Sequence, residues 1–335
     1  MDSVIGLGEV KNIGNMDNQT HASCESAIKL GLGLRSEHYE DCIELLTSPE
    51  IAQKSVQPPD FFEIHAENFF MDGGIVRELL EDLQAKTALS IHGTSLGLAS
   101  HTAIPEAHLK RFARLVRQVN PLFVSDHACL NWFKHPDSAL TLHAGDLLPF
   151  AFDQQTLQAT IDNVNRVQDA IGRQLLVENL SSYLSFAANQ GSHALTKLQD
   201  DKEAETNFFN SLCAQTQCGL LVDLNNLCVN AHNMNLPDIA DYARNWLAMI
   251  DAGLIGEYHL SGCTPAGPGE LMVDDHAQPV SELCWELLPY ALTRNPAAVM
   301  IERDNNLPPF STLLQEVESA RSILKKNAKQ ATPHD

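Results

Sequence analysis

The densest run of groups able to hold a metal lies in residues 257–276. It reads Glu257-Tyr258-His259-Leu260-Ser261-Gly262, crosses a loop rich in glycine and proline, and ends Val273-Asp274-Asp275-His276. Imidazole and carboxylate suit borderline and hard divalent cations, and an Asp-x-His pair in a loop can put both side chains on one ion. The same arrangement recurs along the chain: a short apolar run, then polar side chains where it ends. Those ends carry Arg35 with His38, His65 with Glu67 and Asn68, His92, Asp126 with His127, Glu178 with Asn179, Asp223 with Asn225 and Asn226, His259, and Glu302 with Arg303 and Asp304. Burying so many ionisable groups in one rim costs several kcal/mol each unless they are paired or metallated. We therefore expect His65, His92, His259, Glu178, Asp223 and Glu302 to be metal ligands, joined by Asp274 and His276. Asp126 and His127 are expected to orient ligands or act in catalysis. Arg303 is expected to give electrostatic support to the chemistry, and Arg35, His38 and Asn68 to contact substrate. The donors exceed the needs of one ion, so two or three metals are expected.

Eight apolar segments must position these groups: 31–35, 61–67, 88–93, 122–127, 174–179, 219–226, 257–262 and 297–302. Their hydrophobicity is continuous rather than alternating, as in parallel strands covered on both faces. Helical stretches alternate with them, near 39–47, up to 86, 105–120, 155–171, 280–292 and 311–325, with another opened by Pro237. Eight such units predict an α/β fold, a (β/α)8 TIM-like barrel in a single domain, with its chemistry at the C-terminal strand ends. A doubly wound sheet would bind ligand at one switch point and would not need a polar group at nearly every strand end. Residues 1–28 read as a flexible N-terminal arm, 29–327 as the barrel and 328–335 as a polar tail. The connection through Trp132 and Pro149 reads as a long loop, and the charged patch at 197–205 as a surface insertion.

The chain has 335 residues, 44% of them apolar, with a formal charge of −21 and a pI near 4.9. Such a surface repels phosphate backbones and anionic membranes, so neither nucleic acid nor membrane is expected as a partner. The eight cysteines are scattered, without a C-x-x-C pair, as in a reducing compartment. With no signal-peptide pattern and no long apolar run, a cytoplasmic location is expected.

At this level of detail the sequence resembles the multinuclear non-haem iron-dependent oxidative enzymes that include the catalytic subunit of methanobactin biosynthesis. The matching stretches are GLGLRSEHYE, FFEIHAENFF, LSIHGTSLGL, VSDHACLNW, LLVENLSSYL, GLLVDLNNLCVNAHN, YHLSGC, VDDHAQPV and MIERDNN, in order from Gly31 onward. The resemblance implies two or three iron ions of mixed valence at the barrel mouth. It implies His65, His92 and Glu178 on one iron, His259 and Glu302 with Asp223 or Asn226 on a neighbour, and Asp274 with His276 on a third. Where the family usually has Glu before the fourth-strand histidine, this chain has Asp126, whose shorter side chain puts a direct metal contact in doubt. The implied activity is oxygen-dependent modification of cysteine residues in a ribosomally made precursor peptide, often with a small partner protein that recognises the peptide leader.

Two other readings share the ligand types. A zinc or manganese hydrolase or isomerase could use the same barrel, although an isomerase commonly places a lysine beside the migrating hydride and no strand end here carries one. A non-catalytic metal-binding protein would leave the crowded polar rim without a purpose.

Overall fold

A computed structural model describes residues 28–48, 57–71, 73–182, 194–267 and 270–331. The expected arm lies outside the described residues but for Ile28, and so does the end of the tail. The last helix, expected to end near 325, continues to Ala331.

Eight parallel strands close into a barrel: β1 (Leu30–Gly33), β2 (Phe61–His65), β3 (Ala88–Gly93), β4 (Val124–His127), β7 (Leu176–Glu178), β8 (Gly219–Asp223), β9 (Ile255–Leu260) and β10 (Ala298–Ile301). Neighbours follow chain order around the ring, and β1 closes it by pairing with β10. The expected (β/α)8 barrel is therefore the observed fold. Most strand residues are buried, because the barrel interior takes one face and the helices the other.

The outer layer comprises α1 (Tyr39–Thr47), α2 (Ile75–Gln84), α3 (Glu106–Val119), α4 (Gln154–Ile171), α5 (Ala194–Thr216), α6 (Leu224–Asn233), α7 (Ile239–Met249), α8 (Glu282–Arg294) and α9 (Phe310–Ala331). In α3 the buried residues Leu109, Phe112, Ala113, Val116 and Val119 recur at helical spacing and form one apolar stripe. The helix stops at Asn120, which takes the left-handed conformation at φ 46°. Asp153 caps α4 by accepting from the Thr156 N–H at 2.8 Å.

Two connections differ from expectation. The segment through Trp132 is a hairpin, β5 (Leu130–Lys134) with β6 (Thr141–Leu148). The charged patch at 197–205 is not a surface insertion; it lies in α5, whose Lys202 and Glu205 are buried. The polar composition hid this helix, the crossover that joins β7 to β8.

Inside the barrel, Phe61, Ala298 and Met300 form a small apolar floor with Leu122 and Phe123. A strand presents every second residue to the same side. Above Phe61 the inward series continues with Glu63 and His65, and above Met300 with Glu302. The interior thus turns from apolar to ionisable within one layer.

Candidate metal centre

The barrel registers bring the inward groups together. His65 lies beside His92, and His92 beside Ser125. His127 lies beside Glu178, and Asp223 beside His259. Glu302 follows β10 directly. Asp274 and His276 reach in from the loop between β9 and α8.

Among the described residues, five sets of three side chains bring potential ligand atoms within 4.8 Å of one another: His92, His127 and Glu178; Glu178, Asp223 and His259; Glu63, His259 and Glu302; Asp223, His276 and Glu302; and His65, Glu302 and Asp304. They form a chain, because Glu302 belongs to three sets, and Glu178, Asp223 and His259 to two each. A carboxylate shared between sets is placed to bridge two ions.

The donor spacing fits a metal. His92 Nε2 and His127 Nε2 lie 3.4 and 3.3 Å from Glu178 Oε2. His259 Nε2 is 3.4 Å from Glu63 Oε1, and His276 Nε2 is 3.6 Å from Asp223 Oδ2. Ligands at about 2.0–2.2 Å from one ion stand roughly 3–3.6 Å apart. Glu178 Oε2, Asp223 Oδ2, Glu63 Oε1, His259 Nε2, both ring nitrogens of His276 and Asn226 Oδ1 are buried with no acceptable hydrogen bond. Buried polar atoms are rarely left this way, and a cluster of them facing each other is what cations would satisfy.

Partners outside the cluster fix the ligand rings. His92 Nδ1 meets Ser125 Oγ at 2.8 Å, and His127 Nδ1 meets the Gly93 carbonyl at 3.3 Å, so each Nε2 is free to face Glu178. Asp223 divides its oxygens. Oδ1 caps α6 by accepting from the Asn226 N–H at 2.8 Å, and Oδ2 faces the cluster. Asn226 in turn donates through Nδ2 to the Asn179 carbonyl at 3.0 Å and leaves its oxygen inward. His276 is held at φ 44°, an uncommon conformation for a residue with a Cβ, while its carbonyl accepts from the Asp304 N–H at 3.1 Å. Strain of this kind gathers where a side chain must be aimed.

Burial and neighbouring charge push the ionisable groups apart. Burial lowers the His127 imidazole to about 4 and carries His92 well below its usual value, so both are neutral lone-pair donors at neutral pH. Burial raises Glu178 well above the carboxylate range and pushes Asp223 up to about 7. For His259, burial opposes the charged ring, but Glu63 and Glu302 outweigh it and raise the ring well above its usual value. His276 is raised in the same way, by Asp274 and Glu302 acting against burial. Protons here stand where cations would.

The remaining expected residues divide. Arg35 enters the cluster, with Nη2 at 3.1 Å from Glu302 Oε1 and 2.9 Å from His65 Nε2, and pairs with Asp304 through Nε at 2.8 Å. Asp274 Oδ1 lies 2.8 Å from His276 Nε2 and accepts from Asn225 Nδ2 at 2.9 Å. Four residues are placed otherwise. His38 bonds the Pro308 carbonyl at 2.9 Å and packs on Phe310. Asn68 is exposed on a short helical turn, Ala66–Phe69. Arg303 is turned toward α9, where Nη2 lies 3.4 Å from Glu316 Oε2. Asp126 accepts from the backbone N–H groups of His127 at 2.7 Å and Leu96 at 3.2 Å, and so shapes the loop after β3. Each even-odd step along a strand reverses the side chain's face, and Asp126 and Arg303 stand one step from the inward His127 and Glu302. His127, expected as a catalytic or orienting group, stands in the donor set itself. The resemblance groups His65 with His92 and Glu178; the His65 and His92 rings lie 5.7 Å apart between centroids, His127 also faces Glu178, and His65 also comes within reach of Glu302 and Asp304. Glu63 was not anticipated. It stands two residues before His65, and period-two alternation marks it as inward.

The cluster opens into a cavity of about 200 Å³ bordered by His65, His92, His127, His276 and Glu302, with Asp146 and Leu147 of β6 and Leu180 as its rim. A multinuclear site that can polarise or oxidise one small group is within its means.

Comparison with known proteins shows the family of the chain. The model of "RiPP precursor modification enzyme MbnB/TglH/ChrH" matches residues 29–325. A UPF0276 protein of Caulobacter vibrioides is 36% identical over 297 residues, covering 88% of this chain and 94% of that protein. One from Rhizorhabdus wittichii is 33% identical over 302 residues, covering 90% and 96%. Among solved structures, a xylose isomerase-like TIM barrel protein from Mycobacterium smegmatis in complex with magnesium aligns at TM-score 0.55 and 12% identity over 90% of this chain and 97% of that one. The IOLI protein with a bound zinc atom aligns at 0.51 and 13% over 92% and 100%. These two share the fold. The chain belongs to the MbnB/TglH/ChrH family of RiPP precursor modification enzymes.

Proposed function

We propose that the chain is an iron-dependent oxidoreductase that uses molecular oxygen to modify a cysteine residue of a ribosomally made precursor peptide, working with a small leader-recognising partner. The observation that carries the reading is the chain of donor sets joined by Glu178, Asp223 and Glu302, in a chain of this family. Bound iron would supply a Lewis acid for the thiolate and redox chemistry with oxygen.

The protein's own residues prepare that chemistry. His92, His127 and Glu178 would hold one ion, and Asp223 and His259, with Glu178 beside them, would hold the next. Glu63 and Glu302 complete the surroundings of His259. His276 with Asp223 and Glu302, and with Asp274 beside it, would hold the outermost ion next to the cavity. Asn226 presents its side-chain oxygen to the same space. Arg35 offsets the negative charge of Glu302 and Asp304, so fewer cations are needed to balance the cluster. Leu147 and Leu180 narrow the cavity and keep water from the reacting sulfur.

Metal analysis of protein purified anaerobically from iron-supplemented cells, with Mössbauer spectroscopy and oxygen uptake on cysteine-containing peptides, tests this. Two or three irons per chain, ferrous and ferric together, with peptide-dependent oxygen uptake, are the expected results. Stoichiometric zinc or manganese, with no oxygen uptake after iron reconstitution, would replace this reading with a hydrolase or isomerase.

A further inference from the structure

A second cavity, of about 190 Å³, lies beside the metal cavity and takes no part in the chemistry above. Its walls are mostly apolar, with Phe150, Phe152, Phe209 and Met234 lining it, and the buried Lys202, Glu205 and Asn230 add polar groups at its border. The aromatic rings are mutually fixed: Phe150 and Phe152 meet edge to face at 5.0 Å between centroids, and Phe209 packs on Trp246 at 6.2 Å. Two links join the two cavities. Leu180 borders both, and Ala128, on the wall of the second, follows His127 in the chain. The segment 180–182 runs between them: Ser181 lines the metal cavity and Ser182 the apolar one.

The partition is clamped from α6. Asn230, 2% exposed, donates through Nδ2 to the Leu180 carbonyl at 2.9 Å and accepts from the Ser182 N–H at 2.6 Å. One buried side chain thus fixes both ends of the wall, so the two cavities keep a constant offset. An apolar cavity held at a fixed offset from a reactive centre is a means of choosing register. Its volume is below the roughly 300–1,000 Å³ of sites for drug-sized ligands, so it suits one large side chain rather than a whole cofactor.

We infer that this cavity is a specificity subsite that takes one large apolar side chain, aromatic or branched aliphatic, of the peptide whose reactive residue occupies the metal cavity. The assignment deepens the function proposed above and rests on it for the identity of the occupant. Continuity through Leu180 argues for the same peptide rather than an unrelated ligand. Burying one such side chain favours the correct register by about tenfold or more.

The test has two arms. In the first, N-acetyl-phenylalanine amide and N-acetyl-alanine amide are titrated onto the metal-loaded full chain and followed by saturation-transfer NMR. The phenylalanine amide is expected to bind and the alanine amide not. Ala204 lines the cavity on α5 and is half-buried, so Ala204→Phe fills it. That variant is expected to lose the phenylalanine amide and to keep its metal content. Ala151→Phe, at a residue that also lines the cavity, serves if Ala204→Phe does not fold. In the second arm, one phenylalanine is walked through the positions flanking the cysteine of an otherwise alanine-based peptide, and oxygen uptake is measured. One position is expected to lower KM about tenfold or more, and Ala204→Phe to erase that difference.

No binding of the phenylalanine amide to the wild-type chain, or equal binding to the filled variants, overturns the subsite. Equal KM at every phenylalanine position in a peptide that is turned over overturns it as well. Absence of oxygen uptake with every peptide sinks the oxidase reading instead, and the first arm then still decides whether the cavity binds an apolar side chain.

Discussion

At the scale of single residues the site is a set of buried donor atoms, several of them without a hydrogen-bond partner. Glu63 shows this best: it is fully buried, accepts from Ser90 Oγ at 2.9 Å through one oxygen, and turns the other to His259 without a hydrogen bond. Glu63→Gln keeps the shape and removes a ligand charge. It is expected to lower the bound metal by about one ion per chain, or to weaken metal affinity about 10–100-fold, with circular dichroism unchanged. Full metal content in that variant would remove Glu63 from the site. Ser125→Ala tests orientation instead of ligation. It frees His92 Nδ1, bonded at 2.8 Å in the wild type, and is expected to cost metal affinity about tenfold while leaving the number of ions at saturation unchanged; a reduced stoichiometry would mean that the serine does more than aim the ring. The sequence shows histidines and carboxylates at strand ends because those positions are marked by a change from apolar to polar. Glu63 escapes that signal, as it stands inside an apolar run. Which of two adjacent polar residues faces inward is also hidden until the pleat is placed, so Asp126 and His127 read alike in the sequence, and the outward turn of Arg303 is not visible there.

At the scale of elements, the eight strands were legible as continuous apolar runs, and their order around the barrel follows from them. The hairpin β5–β6 was not. Its strands carry Trp132, Phe133 and Leu142 without clear alternation, since Phe133 and Leu142 are exposed. Helix α5 was missed because its charges masked the residues it buries, Phe208, Phe209 and Leu212. Where β3 and β4 approach each other, a glycine sets the limit. A Cβ on Gly93 would stand 2.3 Å from Asp126 Oδ2 and 2.9 Å from the Phe112 ring. Gly93 also supplies the carbonyl that faces His127 Nδ1. Gly93→Ala must push β3 from β4 or drive Asp126 from its backbone donors. We expect a loss of about 1–3 kcal/mol in stability, read as a lower melting temperature, together with weaker metal retention. An unchanged melting temperature would mean that the Asp126 side chain moves freely, which its two backbone hydrogen bonds argue against.

At the scale of the whole molecule, the chain carries a net charge of −21, and its core holds carboxylates that cations would neutralise. Without metal, protons must take that part, and the sign of their effect follows from the direction of each shift. Asp223, up to about 7, and Glu178, well above its usual range, hold their protons more tightly when folded. Their contribution to stability is complete below the unfolded carboxyl value of about 4 and is lost as pH rises through the folded values. His259 and His276, both raised, contribute fully below about 6.5 and also lose that contribution as pH rises. His92 and His127 are lowered, so their contribution grows with pH but is complete above about 6.5. From there to about pH 8.5 the terms that still change all weaken the metal-free protein. Metal reverses this, because it binds the deprotonated groups and stabilises the folded state by about 4 kcal/mol at a thousandfold excess over its dissociation constant. The difference in melting temperature between metal-loaded and chelator-treated protein is therefore expected to widen steadily between pH 6.5 and 8.5. A difference that stays constant over that range would mean that metal binding displaces no protons from these groups, and the donor sets would then lie elsewhere than around Asp223, His259 and His276.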